Sequence, residues 1–229
     1  MSNNNRKTLI LFPKDSTTDF LEEIVAYLFQ TVQPSLFSFI RIEPSDESHK
    51  NSIEEIQNPL YDTILFLGHG TSVSLYGTCE GEYRNEKFIT IKDFGVFKPK
   101  KIVLVACDSC TLIKKAKAHG FEEAIGFGDL PTDWNDIQSA REVDVNAYKG
   151  FNEKAIESFR NSLVEIIKYS FSEFINNNLT LIELYNLIFL RINKRIAKHY
   201  IANREINLPL SDALLRMKHE TIFINNRQT

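Results

Sequence analysis

Apolar residues along this chain fall into two patterns. Short unbroken runs occur at Leu9–Phe12, Thr63–Leu67 and Ile102–Ala106, and a shorter one at Ala124–Phe127. Such runs, bounded by turn residues, are expected of parallel strands covered on both faces. Leu36–Ile42 partly alternates at period two, and Glu220–Asn225 has strand character, so six strands are predicted. Helical spacing appears at Phe20, Ile24 and Leu28, and again over Leu112–Ala118, where Gly120 supplies a C-terminal cap. A longer stripe runs through Ile156, Phe159, Leu163, Ile166, Ile167 and Phe171 and stops at three asparagines, 176–178. Thr180 and Glu183 then form a capping box for a helix through Leu184, Leu187, Ile188, Ile192 and Ile196.

Between these elements, 43–58 reads as polar connection with one helical turn, and 71–93 as a hairpin inserted after the third strand. The stretch 128–150 breaks all periodicity and is expected to be a flexible or processed loop. The alternation of strands and helices predicts a single α/β domain over 1–229, with a six-stranded, mostly parallel sheet, a disordered tail at 1–7 and a helical pair over 151–204.

Composition narrows the function classes. Hydrophobic residues are 43% and charged residues 25% of the chain, an ordinary globular balance. The net charge of −3 gives no global field for nucleic acid or an anionic membrane, and neither is expected as a partner. Three cysteines form no disulfide framework, which fits a reducing cytoplasm, and the N-terminal apolar run is too short for a signal peptide. Charged residues interrupt the most apolar stretch, so no membrane span is expected. The late run Arg191, Lys194, Arg195, Lys198, Arg204 has only Tyr200 as aromatic company and reads as a solvated face.

In open α/β sheets, sites form beyond the carboxyl ends of the strands. Two strands here deliver reactive residues there: His69, in Gly68-His69-Gly70, and Cys107, in Cys107-Asp108-Ser109. On neighbouring strands, imidazole and thiol share one rim. Cys107 precedes a helix whose N-terminal amides favour a thiolate, with Asp108 or Ser109 as cap. The amides of Gly70 and Cys107 form a possible oxyanion hole, which matches acyl transfer.

These blocks, Ile64-Leu-Phe-Leu-Gly-His-Gly70 and Ile102-Val-Leu-Val-Ala-Cys-Asp-Ser109, resemble the dyad blocks of caspase-like cysteine peptidases. Gly120–Phe127 resembles the strand after the nucleophile's helix in the CHAT branch, which is similar to separases and metacaspases, and the helical pair and final strand agree. The resemblance implies a caspase-like three-layer α/β/α sandwich and cleavage of protein substrates, with His69 as acid/base and Cys107 as nucleophile. It implies no cofactor and no metal, and it suggests a regulatory protein partner.

Substrate choice in such enzymes rests on the side chain before the cut. Asp129 and Asp133, with Asp136, are the nearest acids to the inferred pocket and are the candidate ligands for a basic side chain. Arg141 and Lys149 in the same stretch make self-cleavage conceivable. His119, beside Gly120, is assigned a capping role. Two alternatives stay open: a catalytically silent caspase-like interaction module, and a thiol–disulfide protein built on Cys107-x-x-Cys110. A zinc site from Cys79, Cys107, Cys110 and His119 lacks supporting spacing.

Overall fold

All six expected strands join one sheet in a computed structural model that describes residues 7–226 except 79–80, 84–85 and 203. The strands are β1 (Lys7–Pro13), β2 (Phe37–Ile42), β3 (Tyr61–Leu67), β4 (Ser74–Tyr76), β5 (Lys87–Thr90), β6 (Lys101–Val105), β7 (Glu123–Gly126) and β8 (Ile222–Asn225). The α-helices are α1 (Glu22–Thr31), α2 (Asp46–Gln57), α3 (Ser109–Lys115), α4 (Trp134–Val143), α5 (Glu153–Asn176), α6 (Leu181–Ala202) and α7 (Arg204–Glu220). The main sheet runs β2-β1-β3-β6-β7-β8, parallel except for the β7–β8 edge pair. β4 and β5 pair antiparallel in a separate two-stranded sheet, tied to the end of β3 by a bridge between Gly70 and Leu75.

The unbroken apolar runs are explained by burial on both faces. Alternate residues of β3 enter different cores: Leu65 and Leu67 join α1, α4, α5, α6 and α7, while Ile64 and Phe66 pack with Ile56 of α2, Leu112 and Ile113 of α3, and Phe94 and Phe97 of a 3₁₀ segment, Ile91–Phe97. Helices thus cover the sheet on both sides, giving three layers. Burying a Leu, Ile or Phe side chain contributes roughly 1.5–3 kcal/mol each, and these two clusters supply the fold's main driving force.

Three helices depart from the sequence expectation. α2 is twelve residues rather than one turn, started by Ser45, whose hydroxyl accepts from the Ser48 amide; only Ser52 and Ile56 on it are buried, so it carries no apolar stripe. α4 lies inside 128–150, which is therefore not an aperiodic loop; its one buried residue, Ile137, leaves no amphipathic signal. α7 follows the helical pair, and Leu210, Ala213, Leu214 and Met217 bury at helical spacing, a pattern interrupted for a reader by Pro209 within the helix. The basic run on α6 is spent partly on α5: Arg191 pairs with Glu173 and Arg195 with Glu165. No helix among the described residues is long and apolar enough to cross a membrane.

Candidate active site

β3 and β6 are hydrogen-bonded neighbours, in register from Thr63 opposite Lys101 to Leu67 opposite Val105. The Gly68 amide still donates to the Val105 carbonyl at 3.2 Å, so the ladder persists to the strand ends. Leu67 and Val105 both face the α1/α5 core, and period-two alternation would carry Cys107 to that same face, whereas the chain bends at Gly68 before it reaches His69. Cys107 indeed packs against that core. A Cβ at Gly70 would lie 2.9 Å from the Ala106 Cβ and 3.0 Å from the Cys107 carbonyl oxygen, so glycine is what lets the two chain ends approach this closely. Among the described residues, no acceptor takes the amide protons of Gly70 or Cys107. Both donors of the expected oxyanion hole are available.

The imidazole is held by a loop that sequence reasoning passed over. His69 Nε2 lies 2.6 Å from the Thr17 hydroxyl and 3.5 Å from Asp15 Oδ2, both on the turn after β1. Thr17 in turn donates to Asp15 Oδ1 through its hydroxyl, at 2.7 Å, and through its amide, at 2.9 Å. Asp15 is buried while His69 is half-buried. The only signal in the sequence is the polar turn Lys14-Asp-Ser-Thr17 at the carboxyl end of the first apolar run, and the structure gives it meaning by making β1 the other neighbour of β3.

The thiol's setting is of the opposite kind. Cys107 Sγ donates to the Leu130 carbonyl at 3.5 Å, and burial, followed by the negative charge of Asp136, pushes its pKa upward, with Asp129 and Asp133 adding to the rise. Burial and the nearby carboxylates thus oppose the helix-stabilised thiolate that the sequence leads one to expect. Asp108 adopts a left-handed conformation, φ 51°, and α3 begins only at Ser109, so Cys107 stands outside the helix's first turn and burial outweighs the dipole. Neither proposed side-chain cap forms. Asp108 makes no capping bond, and the Ser109 hydroxyl instead ties Leu104 to Phe127, donating to the Leu104 carbonyl at 2.8 Å and accepting the Phe127 amide at 2.9 Å. Two further bonds, Asp108 amide to Gly128 carbonyl and Cys110 amide to Phe127 carbonyl, lock this junction onto the end of β7.

Beside Cys107 opens a cavity of about 300 Å³, walled by Leu130, Asp129, Asp136, Asp144, Tyr148 and Arg216 among others. Asp129 lies in it as expected, with its carboxylate 3.3 Å from Arg216, whose Nε is 2.9 Å from Glu220. Burial, then Glu220, raises the Asp129 pKa while Arg216 opposes the rise; burial, then Asp133, raises that of Asp136. Asp133 is a correction. It is the N-cap of α4, its Oδ1 accepting the Asp136 amide at 2.8 Å in a capping box, and it is not among the cavity's walls. Asp136 reciprocates through Oδ2 to the Asp133 and Thr132 amides, faces the cavity, and lies within electrostatic reach of His69. Asp144 and Arg216 are lining residues that the sequence reading did not select.

The neighbouring candidates stay apart from this chemistry. Cys110 is a buried free thiol on α3, also raised in pKa by burial, and Cys79 lies outside the described residues. Arg141 is inside α4, with its guanidinium on the carbonyls of Ala147 and Tyr148, so it is not presented as a cleavage site, whereas Lys149 is exposed. Among the described residues, no group of three or more His, Cys, Asp or Glu is arranged to hold a metal ion. Compared with known proteins, the chain matches no family model and no curated protein.

Proposed function

We propose that this protein is a caspase-like cysteine endopeptidase, acting on protein substrates in the cytoplasm, with His69 and Cys107 as its dyad. The observation that carries the reading is the register of β3 on β6, which ends both strands at one rim, where the Gly70 backbone closely approaches Ala106 and Cys107 beside two unengaged amides. His69 takes the Cys107 thiol proton; sulfur attacks the peptide carbonyl, whose oxyanion the Gly70 and Cys107 amides receive. The C–N bond breaks, the leaving amine takes the proton from His69, and a thioester remains. Water then adds to that carbonyl, passing a proton to His69, and the released thiolate takes it back.

The cavity's three carboxylates, Asp129, Asp136 and Asp144, against one guanidinium, favour a cationic side chain before the cut. Because the pKa values of Asp129 and Asp136 are raised, that preference fades on acidification at a higher pH than for an exposed aspartate. The half-buried thiol, with its raised pKa, marks a resting form, and a regulatory protein partner that draws Leu130 and α4 away from Cys107 would activate it.

The same raised thiol pKa favours a second reading, a silent interaction module. The redox alternative draws less support, since both thiols of the C-x-x-C shift upward rather than downward. A peptide library with acyloxymethyl-ketone or similar thiol-reactive ends separates these readings. The peptidase reading expects covalent labelling of Cys107 ahead of Cys110, preference for Arg or Lys before the reactive group, and loss in His69→Ala. Slow labelling indifferent to His69 supports the silent module, and reversible Cys107–Cys110 disulfide formation with insulin reduction supports the redox protein.

A further inference from the structure

Which nitrogen of His69 accepts the proton follows from the loop after β1. Thr17 has a single hydroxyl hydrogen. Asp15 Oδ1 receives that hydroxyl at 2.7 Å and the Thr17 amide at 2.9 Å, and two donors on one oxygen favour the ionised carboxylate, which only accepts. With its hydrogen committed to Asp15, the Thr17 oxygen meets His69 Nε2, 2.6 Å away, as an acceptor. Nε2 must then carry the hydrogen of the neutral ring, and Nδ1 holds the lone pair.

We infer that Asp15 and Thr17 are positioning residues that fix neutral His69 as its Nε2–H tautomer and leave Nδ1 as the proton-accepting nitrogen. When Nδ1 takes the thiol proton, the imidazolium's second N–H is already bonded to Thr17, and the Asp15 carboxylate, 3.5 Å from Nε2, offsets the new charge. The titratable groups that reach the ring are Asp15 from the β1–α1 turn and Asp136 from α4. Thr17 is exposed and so tolerates substitution, whereas Asp15 is buried.

This deepens the peptidase reading, yet its test does not depend on turnover. Long-range proton–nitrogen correlation of protein labelled with ¹⁵N-histidine, with His69 assigned by difference against His69→Gln, reads the tautomer of the neutral ring directly. Wild type should show the Nε2–H pattern alone. Thr17→Val should lose that single pattern and Thr17→Ser should keep it. Alkylation of Cys107 in Thr17→Val should slow about tenfold, part of the 10²–10⁴ that a positioned general base supplies. An Nδ1–H ring in wild type, or an unchanged tautomer in Thr17→Val, overturns the inference whatever the peptide assays give. Conversely, the expected tautomers with Cys107 labelling that is indifferent to His69 leave the positioning pair standing and sink the peptidase reading.

Discussion

The two halves of the candidate dyad sit in contrasting surroundings. Around His69 the groups are polar, hydrogen-bonded and partly open to water: a hydroxyl, a carboxylate and a half-buried ring. Around Cys107 they are a main-chain carbonyl, an apolar core and carboxylates that oppose a negative sulfur. The base is assembled and the nucleophile is masked. The difference is physical rather than accidental, because the base is set by a short turn fixed to β1, whereas the thiol is covered by residues 129–148, held by a few polar ties besides the burial of Leu130, Ile137 and Ala147. Those ties are Asp129 to Arg216, Arg141 to the 147–148 carbonyls, and Arg160 to the Thr132 carbonyl. Reactivity should therefore respond most to the base and next to whatever loosens the cover.

Removing the base gives the largest effect. His69→Ala should slow Cys107 alkylation by on the order of 10²–10⁴ at neutral pH, measured by mass spectrometry of the labelled peptide, with Cys110 labelling unchanged as the internal control. Loosening the cover comes next and acts in the opposite direction. Ile137 is the only buried residue of α4 and is fully inaccessible, so Ile137→Ala should cost α4 about 2 kcal/mol or more of its docking. If opening is local, that is roughly a thirty-fold rise in Cys107 labelling; a fall in global stability with no rise in labelling would show that α4 does not gate the thiol.

The third substitution leaves the cover in place and alters its charge. Asp136 is the largest charged contributor to the upward shift of Cys107, so Asp136→Asn lowers the thiol's pKa and moves the pH–labelling curve to lower pH. At a fixed pH below the midpoint this raises the thiolate fraction and speeds alkylation several-fold, on the order of what about 1 kcal/mol gives. The side-chain oxygen of asparagine can still accept the Thr132 and Asp133 amides, so α4 should keep its melting behaviour.

Much of this architecture was legible in advance. Unbroken runs such as Ile64–Leu67 announce strands buried on both faces, and those same runs become the sheet's centre and deliver His69 and Cys107 to one rim. What stayed hidden depended on long-range burial. Cys107 looked activated because a helix follows it, but burial and the charge of Asp136, more than twenty residues away in sequence, push its pKa upward, and a left-handed residue at Asp108 separates it from the helix. Asp15 and Thr17 were missed because a polar turn after a first strand has no pattern of its own until β1 is known to lie beside β3. Arg216 enters the cavity from a helix that Pro209 concealed.

Asp133 offers the finest test, because two effects on the thiol run in the same direction there. It caps α4, and its charge adds to the rise in the Cys107 pKa. Asp133→Ala removes both the cap, worth about 1 kcal/mol, and the charge, whereas Asp133→Asn removes the charge but keeps a side chain that ranks with aspartate as an N-cap. If the cover gates the thiol, Asp133→Ala should raise Cys107 labelling about fivefold, the equilibrium equivalent of 1 kcal/mol, and Asp133→Asn should raise it less. Equal acceleration by both variants would mean that electrostatics alone links Asp133 to the sulfur and that α4 stays closed. In neither variant should the preference for a cationic side chain change, because the capping carboxylate is outside the cavity. A drop in that preference would return Asp133 to the substrate site from which its capping geometry removes it.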